Sequence, residues 1–210
     1  MRFYEVYNDV EYLYIVMEYV QGKMLHEYVM NYGACFSERD LCSIVFEVSS
    51  ALKHCHSLGL IHRGLRTQAI RITDDGNIKL LSFGFCVSGK KKQGAIKLEF
   101  SPYHAPELLS NDVDYTNKVD IWSLGVMIHL VVSGMMPAFS LIKMGKYPFE
   151  FKEFSEVSRD VKQLLIKMLV YDPAERIDID GVLKDEWFKK NKTGRHKISS
   201  QVKKTDTQII

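Results

Sequence analysis

Cysteine is scarce in this 210-residue chain, and what there is forms no pattern. Cys35, Cys42, Cys55 and Cys86 include no C-x-x-C pair and no metal-ligand spacing, which excludes a disulfide framework and a zinc module of the usual kinds and leaves four reduced thiols. Net charge is nearly absent too: a formal +2 from 28 basic and 26 acidic residues gives no general attraction to a polyanion. A charged, then apolar leader is lacking in MRFYEVYNDVEYLY, so no secretory signal is read there. The longest apolar run, 121–134 (IWSLGVMIHLVVSG), is too short for a bilayer and contains a histidine, so it reads as a buried helix. With 46% hydrophobic and 26% charged residues, the rest is the composition of one soluble globular domain with a sizeable core, expected in the cytoplasm or nucleus.

Two aromatic and β-branched runs, RFYEVY and YLYIVMEYV, flank Asn8-Asp9-Val10-Glu11 and predict an N-terminal β-hairpin. From Ser37 the period changes. Leu41, Ile44, Val45, Val48 and Leu52 share one helical face, Ser37 and Asp40 stand in capping register, and Gly59 stops a helix of about five turns. Short strands are predicted around LIHR, AIRIT and IKLLSF, the last two joined by Asp74-Asp75-Gly76-Asn77 as a second hairpin. Beyond Asn117 the pattern is helical: the buried run, then SRDVKQLLIKMLV, then a last helix around DIDGVLKDEWFKK. Residues 189–210 are polar, basic and aperiodic, and read as a disordered tail; its lysines lack interleaved aromatics, so no specific nucleic-acid site is expected.

Ordered motifs then accumulate. His62-Arg63 precedes Leu65 in HRGLRTQAIRI, Ser82-Phe83-Gly84 follows, then Ala105-Pro106-Glu107, then DIWSLGV from Asp120, then Arg176 after Asp172-Pro173. In order and spacing this set resembles the C-terminal lobe of a eukaryotic Ser/Thr protein kinase, with the HRD, DFG and APE motifs at these positions. YPFEFKEFSEVSRDVKQLLIKMLVYDPAERI adds a lean toward the calmodulin-dependent and AMP-activated branch. The resemblance implies an α+β, mainly helical fold. Residues 1–20 correspond to the hairpin and hinge of the small lobe, most of which is missing, and 21–188 to the C-lobe. It also implies structural roles for His62, Arg63, Phe83 and Gly84. Phe3 would sit above His62 and Phe83 in a spine of apolar packing. Asp120 would bond backbone near the catalytic loop, and Glu107 would pair with Arg176.

The chemistry of the family rests on side chains that have changed. Phosphoryl transfer needs a positioned Asp as proton acceptor and two Mg²⁺ held by an Asp and an Asn. Against that pattern Gly64 replaces the base, Ala69 the Asn, Ser82 the DFG Asp, and Arg66 the Lys that reaches the phosphate; Phe100 stands in place of a threonine. A positioned base contributes about 10²–10⁴-fold and charge stabilisation usually more, so both are expected to be largely lost. No catalytic residue, metal or cofactor is therefore expected. If nucleotide does bind, Met17, Glu18, Val20 and Ile70 are the positions expected around it, with Arg71 where an aliphatic residue packs under adenine and Met24 where an acid contacts ribose or substrate.

Regulation departs from the pattern as well. Segment 85–103, FCVSGKKKQGAIKLEFSPY, has no threonine, Ile96 near the usual acceptor position, and only Ser88 and Ser101 as weak alternatives. Lys90, Lys91 and Lys92 read as a solvated loop rather than a phosphate site. Only SLIKMGK separates Phe139 from Tyr147, where the family fits a complete docking helix, so this surface is expected to be remodelled.

The expectation is a truncated, inactive kinase-like protein acting through a protein partner, another kinase among them, as scaffold or allosteric partner. Two alternatives stand beside it: a Ser/Thr kinase with weak ATP- and Mg²⁺-dependent transfer, and a non-functional fragment or shortened isoform. A two-stranded hairpin is marginal alone, so a partner or further upstream sequence is expected to cover it.

Overall fold

The computed structural model describes residues 2–32, 36–89, 101–109, 115–147, 149–150, 152–191 and 198. Strands β1 (Phe3–Asn8) and β2 (Leu13–Met17) pair antiparallel, Asn8 opposite Leu13 and Phe3 opposite Met17, with an irregularity between Phe3 and Glu5. Asp9 closes the turn by accepting the N–H groups of Glu11 and Tyr12. The side chains on both faces of this hairpin are exposed. Phe3 is 60% exposed and makes no ring contact with His62 or Phe83 among the described residues, so the spine expected from the sequence stops at the His62–Phe83 pair.

The chain then enters the large lobe through β3 (Lys23–Met24) and α1 (Leu25–Tyr32). Helix α2 (Glu38–Ser57) begins at the expected cap: Ser37 Oγ accepts the Asp40 N–H and donates to the Asp40 carboxylate. It ends at Gly59, whose φ of 71° suits glycine. β4 (Leu60–Ile61) follows, then β5 (Ile70–Ile72) and β6 (Ile78–Leu80), the second hairpin of the sequence reading. β5 is central in the three-stranded sheet β3-β5-β6. Gly22 allows the approach of the chain to it, since a Cβ there would lie 2.2 Å from the Ile72 carbonyl oxygen. β7 (Val87–Ser88) pairs with β4 and closes the loop that holds the motifs.

Helix α3 (Lys118–Ser133) is apolar on nearly every side because it runs through the core, where Ile121, Trp122, Leu124, Val126, Met127 and Ile128 are all buried. The amphipathic α5 (Arg159–Met168) packs on it through Val161, Leu164, Leu165 and Met168. Between them in the chain lies α4 (Phe139–Lys143), a helix of only five residues. The last helix predicted from sequence is two: α6 (Ile179–Leu183) and α7 (Glu186–Lys190), broken where Asp185 caps the second by accepting the Trp187 N–H. Segment 189–210, expected to be disordered, begins inside α7, where Lys190 contacts Asp160, and its Ile198 is buried with its N–H bonded to the Gly76 carbonyl. An apolar side chain in a polar tail has a burial site, and that overrides the composition of its neighbours. No described helix is long and apolar enough to cross a membrane.

Candidate functional site

The loop after β4 is organised by one buried carboxylate on α3. Asp120 accepts the backbone N–H of His62 at 2.9 Å and of Arg63 at 2.8 Å, and the ring Nε2 of His56 at 2.8 Å. A fully buried carboxylate must find such donors. These bonds hold Arg63 at a φ of 58°, in the left-handed region, and turn the chain sharply after His62.

His62 is wholly buried. Its Nε2–H donates to the Leu81 carbonyl at 2.9 Å, and its Nδ1 accepts the Gly64 N–H at 3.2 Å, which fixes the neutral tautomer. Burial is the largest influence on the ring and pushes its pKa below the ordinary histidine value, against the opposing pull of Asp120. Phe83 stands edge-on to it at 4.8 Å. Arg63 spends its guanidinium on neutral acceptors, Nε donating to the Phe85 carbonyl at 2.7 Å and Nη1 to the Tyr115 hydroxyl at 2.8 Å.

Gly64 has close neighbours. A Cβ at this position would come within 3.1 Å of Phe85 Cδ2 and 3.2 Å of the Ser82 carbonyl oxygen, a tight fit that a side chain would meet only if the half-exposed Phe85 ring gave by a few tenths of an ångström. In the sequence Phe85 reads as part of a loop, with nothing to mark this packing. Ser82 takes the left-handed conformation, φ 65° and ψ 45°, ahead of the 3₁₀ turn Phe83–Phe85, with no side-chain cap bond. Gly84 has nothing within 4 Å of a built Cβ. Arg66 is exposed, and Ala69 is buried in the 3₁₀ turn Thr67–Ala69, its carbonyl accepting the Leu81 N–H at 2.7 Å. Thr67, another residue the sequence did not single out, ties this turn to the next motif through the Tyr103 hydroxyl at 3.0 Å. Phe100, Ile96 and Lys90–Lys92 lie outside the described residues.

Around the hinge the expected positions separate. Met17 is exposed and Val20 is buried, while the Glu18 N–H and carboxylate are both engaged with the backbone of Arg2. Ile70 is wholly buried in the core, so the β5 side chain that turns to the hinge is Arg71, whose Nη1–H donates to the Val20 carbonyl at 2.7 Å. The alternation of a strand places Ile70 and Arg71 on opposite faces. Arg71 Nε is buried without a hydrogen-bond partner among the described residues. Met24, opposite Arg71 in the β3–β5 pairing, adds no charge beside it.

Arg176 and Glu107 form a bidentate pair, Nη1 to Oε1 at 2.6 Å and Nη2 to Oε2 at 3.1 Å. Arg176 also donates to the carbonyls of Lys118 and Val170 and lies 5.0 Å from the centre of the Trp122 ring. Lys118 Nζ in turn donates to the Arg176 carbonyl. The 3₁₀ turn Pro106–Leu109 is thus bolted to α3. Among the described residues no group of three or more His, Cys, Asp or Glu is arranged to hold a metal ion.

Comparison with known proteins agrees with this arrangement. The family model described as protein kinase domain matches residues 1–188. Calcium-dependent protein kinase 5 of Plasmodium falciparum is 33% identical over 217 residues, covering 98% of this chain. Serine/threonine-protein kinase PEPKR2 of Arabidopsis thaliana is 32% identical over 192 residues, covering 87%. Calcium-dependent protein kinase 4 of the same plant is 32% identical over 200 residues, covering 90%. The chain spans 38%, 40% and 39% of the length of these three relatives. From the anchored His62-Arg63 turn to the Glu107–Arg176 pair, and through its relatives, the chain belongs to the protein kinase domain family, among the eukaryotic Ser/Thr kinases with a lean to the calcium-dependent branch.

Proposed function

We propose that this chain is a kinase-like domain without phosphotransfer activity, which acts by binding protein, as scaffold or allosteric partner, with other kinases among its candidate partners. The observation that carries the reading is the side-chain set on the anchored loop: Gly64 supplies no carboxylate where the family's proton acceptor stands, and a Cβ there would meet the half-exposed Phe85 ring at 3.1 Å, so the ring would have to give by a few tenths of an ångström to admit one. The donor set argues the same way for the metal. Ala69 offers no side-chain oxygen, Gly64 none, and Ser82 only a neutral hydroxyl, a poor set for Mg²⁺, which favours carboxylates. Arg71 argues against purine, because a cation bonded to the hinge carbonyl at Val20 lies on the surface that an apolar ring would cover. No step of transfer is assigned to these residues.

The names of the relatives favour a second reading, a Ser/Thr kinase of weak activity. Radiolabel transfer from [γ-³²P]ATP by the pure 210-residue chain separates the two. The expected result is no Mg²⁺-dependent incorporation into the chain or a mixed peptide substrate, and no thermal shift with ATP with or without Mg²⁺. Mg²⁺-dependent incorporation that disappears in Arg66→Ala overturns the proposal.

A further inference from the structure

Hairpin β1–β2 is open at its edge as well as on its faces. It is a two-stranded sheet, so no described strand pairs with the far side of β2. The Asp9 N–H donates to the Tyr12 carbonyl at 3.0 Å and the Glu18 N–H to the Arg2 carbonyl at 2.7 Å, so the main chain at Tyr12 and at Glu18 turns toward β1. Antiparallel pairing alternates, which sets the N–H and C=O groups of Tyr14 and Val16 on that same side and those of Leu13, Ile15 and Met17 on the outer edge. Such an edge is a template for another strand, and proteins normally blunt it with a charge, a proline or a bulge. Leu13–Met17 (LYIVM) has none of these, and each of its side chains is at least 40% exposed. β1 is blunted, by Glu5 and by the irregularity between Phe3 and Glu5. The open edge is therefore that of β2.

This strand is its own complement. Set antiparallel to a second copy about a two-fold axis through Ile15, the register that overlaps Leu13–Met17 completely, it places Ile15 opposite its own copy and Leu13 opposite Met17. These are the outward-facing residues, so each free main-chain group on the edge meets a donor or an acceptor. Side chains directly opposite share a face. Ile15 with its copy and Leu13 with Met17 lie on one, Tyr14 with Val16 on the other, and every pair is apolar or aromatic. The flanking carboxylates stay apart as well, since the same register sets Glu11 against Tyr19 and Glu18 against Tyr12. The chain leaves the two copies of β2 at opposite ends of the joined sheet, which keeps the two large lobes apart. Four strands then stand where a marginal two stood.

We propose that this chain forms a two-fold homodimer through β2, edge to edge, giving one antiparallel sheet in the order β1-β2-β2-β1. The proposal rests on the protein-binding half of the proposed function and names one partner, a second copy of this chain. Contact through a strand of five residues is at the small end of protein interfaces, so the dimer is concentration-dependent, with a Kd of about 10⁻⁵–10⁻⁴ M.

Sedimentation velocity of the full 210-residue chain is expected to show monomer at about 1 μM, dimer at about 300 μM, and nothing larger. Ile15→Lys and Ile15→Glu each set like charges opposite one another at the two-fold axis, and each is expected to weaken the dimer at least about tenfold. An equimolar mixture of the two is expected to restore it, because residue 15 then faces its opposite charge. Asn8→Lys, the same added charge on β1, is expected to leave the dimer unchanged. Ile15 is exposed and outside the core, so the variants keep the large lobe, which near-UV circular dichroism verifies. Hydrogen exchange reads the edge directly: the amides of Leu13, Ile15 and Met17 are expected to gain protection as concentration rises, while those of Tyr14 and Val16, already turned to β1, do not. A chain still monomeric at about 300 μM, which would leave this edge to a strand of another protein, overturns the proposal. So does a mixture that associates no better than either variant, or growth beyond two copies. Phosphotransfer by the chain would sink the inactivity reading and leave these measurements untouched, so the two fail separately.

Discussion

Glu107→Ala tests how the motif segment is held to the core. The substitution leaves Arg176, which is wholly buried, with its carbonyl partners at Lys118 and Val170 but no counter-charge. Removing one member of a buried pair costs about 3–5 kcal/mol, because the remaining charge stays desolvated. The carbonyls that remain, and the Trp122 face at 5.0 Å, keep the loss near the lower figure of about 3 kcal/mol. At about 2–4 °C per kcal/mol for a domain of this size, the melting temperature is expected to fall by about 6–12 °C. Near-UV circular dichroism follows the melt, since Trp122 lies against the pair, and hydrogen exchange at 101–109 and 118–121 separates local opening from global unfolding. Arg176→Met and the double substitution complete a cycle, in which a favourable coupling of about 0.5–3 kcal/mol is expected. A loss below about 1 kcal/mol for Glu107→Ala refutes the reasoning, because it would make the pair no better than a surface one.

Two further outcomes follow from the site. Gly64→Asp, which restores the family's base on paper, is expected to leave phosphotransfer absent in the radiolabel assay, because Ala69 and Ser82 still offer no carboxylate or amide oxygen for Mg²⁺, and Mg²⁺-dependent incorporation by this variant would contradict the reasoning. His62, His104 and His129 are all pushed below the ordinary histidine pKa, with burial the largest cause in each. The unfolded chain therefore takes up protons at pH values where the folded one does not. Stability is complete above the unfolded value near 6.5 and declines as pH falls below it, by up to about 1.4 kcal/mol per pH unit for each histidine. Urea unfolding between pH 7.5 and 5.5 reads this slope, and a flat or opposite trend would contradict it.

Much of the large lobe was legible because its signals are local. Ser37, Asp40 and Gly59 bound α2 in the sequence as they do in the structure, and the turn at 74–77 marks the β5–β6 hairpin. Where tertiary contact decides, the sequence is silent: two-residue strands such as β3 exist only because β5 is there to pair with, and α1 was not foreseen. A capping aspartate inside one apparent helix, Asp185, looks from sequence like any acid on a solvated face. At the site, the identities at 64, 66, 69 and 82 could be read directly, but not that Phe85 fills the space beside Gly64, nor that Ile70 faces the core and Arg71 the hinge. Those facts depend on which way side chains turn, and a motif records only their order. The buried Ile198 shows the same gap at the other end of the chain.

The bonds from Asp120 to the loop go to main-chain N–H groups at His62 and Arg63, which every residue but proline supplies. The shape of the loop and its reactivity are thereby written in different atoms. The side chains at Gly64, Arg66 and Ala69 take no part in these two anchors, so the turn after His62 keeps its support whatever those positions carry.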